Sequence, residues 1–463
     1  MKTRLKRFWA KFDATDISGI KNVLLKPLNM VLSLVYTPLL LSYLGNESYG
    51  LWSTILTVIN WINYFDLGVG LGLRNLLTKE LTAKQYDDAK KTVSTAYIIL
   101  TAISLPMLLV LIILAFSLNW FDLFNTTIDV RTPLLITFVF ICINFVLALC
   151  NQLLYALQLS ERVAFRSTIV QLLNLVGVFV LSKTAQPNLI YMAILFGATS
   201  SIIHVFNMVG IFSKHRYLCP NVKLFDKKKI PQITNVGFAF FAIQLSCLLL
   251  YSADHILITH YLGPEEIPPV DVANKIFGLG CTFLAALMVP YLSRTTEALE
   301  KGNFNWIRRA IKKMYTLYAI VVVAYIFLAI FFREFVGIYM MIGGKNVELT
   351  FSNGLIVTMF LHYLFYSFVT INTPFINGTG KLTFQMIVSL ASGILCIPLA
   401  IFLGVTCGLG VVGIKLATVI MLAIGAVVYP FNLHNILKRE EKKYKEKLSL
   451  ESECAENSSI NDK

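Results

Sequence analysis

Long apolar stretches separated by short polar ones run through the chain from end to end. Twelve are of the length a helix needs to cross a bilayer, about 20 residues: 20–44, 50–72, 92–116, 132–156, 165–183, 190–212, 234–261, 270–292, 314–333, 353–376, 384–404 and 411–432. None alternates apolar and polar positions as a strand of a lipid-facing barrel must, so each run predicts a helix. The expected fold is all-α and integral to the membrane, with twelve transmembrane helices.

The second half of the chain restates the first at an offset of 218–219 residues. Tyr43-Leu44-Gly45 returns as Tyr261-Leu262-Gly263, and Tyr86, Lys90-Lys91 and Tyr97 return as Phe304, Arg308-Arg309 and Tyr315. Arg162 and Phe165 return as Lys381 and Phe384. Constant spacing across four loop regions identifies an internal repeat. Six crossings per half leave both halves in the same orientation, one of the repeat designs of secondary transporters. The sequence thus divides into an amphipathic N-terminal segment (1–19), a six-helix bundle (20–212), a basic linker (213–233), a second six-helix bundle (234–434) and a charged tail (435–463) expected to be disordered. Loops 73–91 and 293–313 are long enough for one surface helix each.

A hydrophobic fraction of 56%, only 14% charged residues and a mean hydropathy of +0.69 exclude a soluble domain of 463 residues. The net charge of +14 suggests nucleic acid at first sight, but its distribution follows topology. Only Arg131, Lys183, Arg333 and Lys345 fall in the loops on one side, and Lys21, Lys26, Lys275 and Lys415 fall within runs. The rest collect on the opposite side, which the positive-inside rule makes cytoplasmic, together with both termini. No nucleic-acid partner is implied; anionic lipid headgroups are. At the start, Lys2, Arg4, Lys6, Arg7 and Lys11 interleave with Leu5, Phe8, Trp9 and Phe12, the pattern of a helix lying on the inner membrane face. Five of the eight cysteines (Cys142, Cys150, Cys247, Cys281 and Cys396) lie within runs, with neither zinc spacing nor a CxxC pair.

Gly343-Gly344-Lys345 and Gly380-Lys381 lack the glycine spacing and the following Ser or Thr of a phosphate loop, so direct ATP drive is not expected. No cofactor is implied; H+ or Na+ remain as coupling ions. Charges within spans cost roughly 2.5–3.5 kcal/mol each at a helix centre and demand a reason. Lys26, Arg74, Lys275 and Lys415 are candidates for a cationic route that binds phosphate oxygens, against snorkelling or, for Lys275, a pair with Asp271 one turn earlier. Asp66, Asp254 and His255 are the candidates for ion coupling, against a purely structural role. The fourth and tenth spans carry matching polar stripes. Asn144, Asn151, Tyr155 and Gln158 recur as Tyr363, Thr370, Pro374 and Asn377. With Asn63 on the second span, Asn151, Tyr155, Tyr363, Thr370 and Asn377 are candidate polar lining residues, of the kinds that either bind sugars or join helices in lipid.

Phe65-Asp66-Leu67-Gly68-Val69-Gly70 leading to Arg74, with the basic loop through Lys90-Lys91, resembles the second span and following loop of bacterial polysaccharide flippases. So do Tyr43-Leu44-Gly45 with Tyr49-Gly50, Asp254 followed by Tyr261-Leu262-Gly263, and the Asn377-Gly378-Thr379-Gly380-Lys381 turn. The resemblance covers residues 15 to 435. These flippases are the polysaccharide transport branch of the multidrug/oligosaccharidyl-lipid/polysaccharide exporter superfamily. It implies a two-lobed, MATE-like fold in a bacterial inner membrane. It also implies movement of an undecaprenyl-diphosphate-linked oligosaccharide to the periplasmic leaflet by alternating access, for O-antigen or capsule. The partners implied are that glycan, membrane lipids, and the glycan polymerase and chain-length regulator. Lys26, Arg74 and Lys275 match the cationic cavity by location. One departure is Glu265-Glu266-Ile267-Pro268-Pro269, where the first half has Tyr49-Gly50; the proline pair stiffens that loop and sets it apart from its repeat partner. The rival readings are an ion-coupled multidrug or cation antiporter of the same fold, and a membrane-embedded polysaccharide polymerase or ligase. The antiporter calls for an acidic cavity, the enzyme for a large external loop with catalytic residues.

Overall fold

The structure, a computed structural model, describes residues 14–63, 68–157, 159–234, 237–342, 349–381 and 383–461. The amphipathic segment read at residues 1–13, the acid Asp66, and the side chains of Lys26 and Asn63 lie outside what is described. Helix accounts for every apolar run in its described residues, and no strand occurs among them. Hydrocarbon offers no hydrogen bonds, so each backbone N–H and C=O must be paired within its own helix. Among the described residues, nine helices are long and apolar enough to cross a membrane, and Leu28–Leu44 adds a shorter apolar one. Leu109, Phe116, Phe206, Val427 and Phe431 are each more than half exposed. Such side chains face acyl chains at little cost, whereas on a soluble protein they would form an adhesive surface. The protein is a multi-pass membrane protein.

In chain order the helices are α1 (Ala14–Leu44), α2 (Asn46–Asn63), α3 (Val69–Thr82), α4 (Tyr86–Ser117), α5 (Trp120–Leu123), α6 (Arg131–Leu147), α7 (Leu149–Ala156), α8 (Ser160–Thr184) and α9 (Leu189–Lys214). They continue as α10 (Lys229–Thr234), α11 (Gly237–Leu262), α12 (Ile267–Glu300), α13 (Phe304–Ile330), α14 (Phe332–Met341), α15 (Asn353–Gly378), α16 (Thr383–Ile401) and α17 (Gly410–Asn461). Asn188, Asn303 and Ser352 cap α9, α13 and α15, each side-chain oxygen accepting a backbone N–H of the first turn.

The repeat seen in the sequence recurs in the backbone. Gly45 (φ 76°) and Gly263 (φ 106°) both take up the left-handed region, 218 residues apart. So do Lys84 (φ 58°) and Gly302 (φ 67°), each inside a three-residue turn with the same hydrogen bonds. The N–H groups of Ala83, Lys84 and Gln85 donate to the carbonyls of Lys79, Leu81 and Glu80; those of Lys301, Gly302 and Asn303 donate to Glu297, Leu299 and Ala298. This caps the carbonyls left over at each helix end. Within loops 73–91 and 293–313, α3 runs to Thr82 and α12 to Glu300 before α4 and α13 begin. After Gly263 a short 3-10 turn, Pro264–Glu266, precedes α12. Pro268 and Pro269 then fall in the first turn of α12, where their missing N–H groups cost nothing.

The chain forms two compact units. The first holds residues 1–245, 255–268 and 337–349, and the second 246–254, 269–336 and 350–463. In the first unit, Val69, Leu73 and Leu77 of α3 pack with Ala89 and Val93 of α4, with Phe145, Leu149 and Leu153, and with Ile211. The basic stretch read as a linker is folded onto this core. The N–H groups of Asn221 and Asp226 donate to the hydroxyls of Ser94 and Thr95, and Lys229 Nζ lies 2.6 Å from the buried Glu80. The turn at Gly263–Pro268 belongs to the same unit. Thr54 Oγ1 sits 2.6 Å from Thr259 Oγ1, and His260 Nδ1 2.9 Å from the Leu123 carbonyl.

In the second unit, α17 runs on through the charged tail to Asn461. Glu440, Glu441 and Tyr444 share one face of that helix and find partners in Lys381, Arg308 and Phe304, at 3.8 Å, 2.5 Å and a ring-centroid distance of 6.1 Å. Lys445 and Lys442 add pairs to Glu441 and Glu446 along the helix.

Two glycines mark backbone contacts that leave no room for a side chain. A Cβ on Gly50 would lie 1.7 Å from the Pro264 carbonyl oxygen, and one on Gly72 1.8 Å from that of Ile233. Gly50→Ala should cost about 1–3 kcal/mol by forcing the backbones apart. Gly337→Ala, which has open space around it, serves as the control. Thermal unfolding of the purified protein in detergent should show a lower midpoint for the first variant and none for the second.

Candidate functional site

A cavity of about 370 Å³ lies inside the first unit. The neighbouring elements explain its chemistry. α6 gives way to α7 at Ala148, whose N–H bonds the Asn144 carbonyl at 2.8 Å while Asn151 N–H takes the Ala148 carbonyl at 2.9 Å. This tightened turn sets the carboxamides of Asn144 and Asn151 on either side of His204 from α9. His204 Nδ1 lies 3.0 Å from Asn144 Oδ1 and must donate; Nε2 lies 3.4 Å from Asn151 Nδ2 and accepts. Asn144 Nδ2 in turn points to the Gly197 carbonyl at 3.5 Å. The network thus specifies a neutral imidazole with its proton on Nδ1.

Asn60, Gln152, Thr137 and Ser200 complete the polar lining, with Phe140, Phe145 and Phe196 as aromatic walls. Among the described residues, no Asp, Glu, Lys or Arg lines it. Thr137 Oγ1 and Gln152 Oε1 are buried without a hydrogen-bond partner. Buried polar atoms in native proteins are rarely left so, and a guest rich in hydroxyls would satisfy them. The cavity is chemically suited to an uncharged polar ligand.

Of the residues singled out from the sequence, Asn151 lines this cavity. Arg74 and Tyr155 meet in the same unit, the guanidinium 4.8 Å from the ring centroid, with Arg74 exposed and Tyr155 half-buried. Cation–π contact fixes the guanidinium plane and leaves its N–H edge open. The remaining described candidates belong to the second unit, except His255, which is counted with the first.

In the second unit, Lys415 on α17 and Asp254 on α11 form an ion pair of 2.5 Å, at 2% and 5% exposure. The sequence reading gave these two separate roles, a substrate cation and a coupling acid beside His255. The structure brings the two together: each is the other's counter-charge, because neither could stay ionised alone in hydrocarbon. The imidazole within reach of both charges is that of His362, buried on α15, whose Nδ1 has no hydrogen-bond partner. Lys275 is half-buried on α12, within the field of Asp271 one turn earlier. Tyr363 donates to the Asn274 carbonyl at 3.1 Å and stacks on Phe277. Thr370 Oγ1 donates to the Tyr366 carbonyl and lies 3.6 Å from Cys281 Sγ. The Asn377 carbonyl receives the Gly380 N–H at the end of α15. These last three serve helix packing and capping.

The sequence pattern of the family described as Polysaccharide biosynthesis protein matches residues 19–296. The chain belongs to the polysaccharide biosynthesis protein family. A second pattern, MatE, matches residues 240–402. Among curated relatives, this polysaccharide biosynthesis protein is 24% identical over 366 residues to the "Putative O-antigen export protein" of Yersinia pseudotuberculosis, covering 74% of this chain and 78% of that one. It is 23% identical over 253 residues to the "Putative O-antigen transporter" of Salmonella typhimurium strain LT2, spanning 52% of this chain and 55% of that protein. Among solved structures, an inward-facing multidrug resistance MATE family transporter of the MOP superfamily superposes with a TM-score of 0.75 at 16% identity, over 89% of this chain and 96% of that one. The fold is thus MATE-like.

Sequence reasoning about this family member missed His204, although Ser200, His204 and Asn207 fall at helical spacing on the sixth span. Their significance depends on the fourth span lying alongside, which spacing does not reveal. His362 was likewise passed over as one polar residue among many on the tenth span.

Removing one member of the buried pair should be far worse than removing both. Lys415→Met alone is expected to cost about 3–5 kcal/mol, by leaving a buried carboxylate unmet. The double variant Asp254→Leu/Lys415→Met should recover most of that stability when denaturant unfolding is followed in detergent.

Proposed function

We propose that this protein is a flippase for a lipid-linked oligosaccharide. It carries undecaprenyl-diphosphate-linked repeat units from the cytoplasmic to the periplasmic leaflet of a bacterial inner membrane by alternating access. The product serves O-antigen or capsular polysaccharide synthesis. One observation supports the reading: the cavity of the first unit, whose described lining is of amides, hydroxyls, a histidine and aromatic rings. Sugar rings present hydroxyls to such donors and acceptors and apolar faces to such rings. The O-antigen names of the two curated relatives support the same substrate class.

In this scheme a glycosyl residue occupies the first-unit cavity. Arg74, held on Tyr155, offers its N–H edge to a phosphate. Lys415 is not available to the substrate while Asp254 is ionised. A proton arriving at Asp254 frees the ammonium, which makes this acid, with His362 beside it, the coupling candidate. Lys26, Lys275, Asp66, Asn63 and His255 keep the roles read from the sequence. Both termini face the cytoplasm, and the glycan polymerase and chain-length regulator receive the product.

A cation antiporter would bind its drug against an unpaired acid; the described lining of the cavity holds none, and Asp254 is paired with Lys415. His204→Leu and Asn151→Leu should each abolish surface glycan, measured by immunoblot in cells whose only flippase is this protein, while the amount in the membrane stays unchanged. Wild-type levels of glycan in both variants, or drug resistance without any glycan export by the native chain, would remove the proposal.

A further inference from the structure

A second group of polar side chains in the first unit has no part in the cavity. Arg162 and Arg166 sit one turn apart on α8, both half-buried. Arg166 Nη1 is buried and has no hydrogen-bond partner, and its other terminal nitrogen lies 3.8 Å from where a Cβ on Gly210 of α9 would stand. Lys214 follows Gly210 by one turn on α9, and His215 comes next in sequence. His215 Nδ1 is 3.1 Å from the hydroxyl of Tyr217, whose ring meets that of Tyr86 edge to face at 5.0 Å. Loops two-three, four-five and six-seven therefore converge here at one end of the unit.

Like charges that converge without a counter-charge repel, and native proteins bring them together for a reason. No ion pair is formed by Arg162, Arg166 or Lys214 among the described residues. Glu161, on the same turn as Arg162, is engaged in an interaction of its own. The repulsion registers on the one neighbour that titrates near neutrality. His215 is held below the ordinary imidazole range by burial, and further by the charges of Arg162 and Lys214.

We propose that Arg162, Arg166 and Lys214, backed by His215 and Tyr217, form an anion site that receives the pyrophosphate of the lipid-linked substrate at the mouth of the first unit. The assignment rests on the flippase reading above and names the groups that would hold the charged part of the substrate. Two guanidinium forks and an ammonium match phosphate oxygens, and a half-buried setting strengthens each contact. The amide- and hydroxyl-lined cavity would then receive the sugar, and this cluster the diphosphate.

The test uses the full chain in nanodiscs of phosphatidylcholine, titrated calorimetrically with inorganic pyrophosphate. Arg162→Gln and Arg166→Gln should each weaken binding by roughly tenfold or more, since a hydrogen bond to a charged group contributes about 1.5–3 kcal/mol. Lys214→Gln, at an exposed position that cannot threaten the fold, should weaken it in the same direction, and the exposed Lys183→Gln at the other end should not. Bound pyrophosphate should also raise the midpoint of His215 titration followed by proton NMR. Unchanged affinity in all three cluster variants would overturn the site. Competition by a polyprenyl diphosphate but not by phosphatidylglycerol supports the substrate assignment, and equal competition by both overturns it in favour of ordinary headgroups. Pyrophosphate binding by a chain that exports no glycan would leave the site standing and remove the flippase reading; glycan export without pyrophosphate binding would do the reverse.

Discussion

A charge inside hydrocarbon must meet an opposite charge or reach water, and this rule arranges the polar groups of the whole protein. Where Lys415 and Asp254 lie deep in the second unit they are locked to each other at 2.5 Å. Where the first unit opens its cavity, the described lining residues carry no charge, and amides and hydroxyls line the space instead. Where cations are held close together, as at Arg162, Arg166 and Lys214, they lie at a helix-end surface with water within reach. The three settings form a gradation from paired, through neutral, to unpaired charge, and each is suited to a different part of an amphipathic substrate.

The division of labour follows from that gradation. A lipid-linked diphosphate sugar has an apolar tail, an anionic middle and an uncharged polar head. Binding all three in one cavity would bury the anion beside apolar walls, at a large desolvation cost. Separate places for head and phosphates avoid it. In the proposed scheme the Arg74–Tyr155 stack adds a guanidinium held on a ring, which loses less freedom on meeting a phosphate than a mobile lysine would.

Much of the architecture was legible in the residues because the bilayer imposes it. Apolar runs of the right length became helices, and the repeat reappeared as matched left-handed turns at Lys84 and Gly302. The candidate site was legible only in part. Asn151 and Tyr155 stood out by their stripe on the fourth span; the first lines the cavity and the second meets Arg74. The pairing of Asp254 with Lys415 spans 161 residues of sequence. No local pattern encodes which distant helix will lie alongside, so the acid was read with its neighbour His255 instead. Arg166 was overlooked for another reason: it falls at the edge of the fifth run and was counted with the loop. The pairs that Glu440 and Glu441 make were not legible because their partners, Lys381 and Arg308, are contributed by two separate loops.

The wedge of Pro264 against Gly50 carries a further consequence. The gene's ancestral duplication and the protein's mechanical parts do not share a border, since the first unit is completed by a turn encoded after the midpoint. A chain cut in the basic linker and expressed as two pieces would leave the front piece with an open notch along α2. Evolution could copy one half wholesale, but afterwards the copies became mutually dependent, and neither can now be exchanged for a relative's without its matching insert.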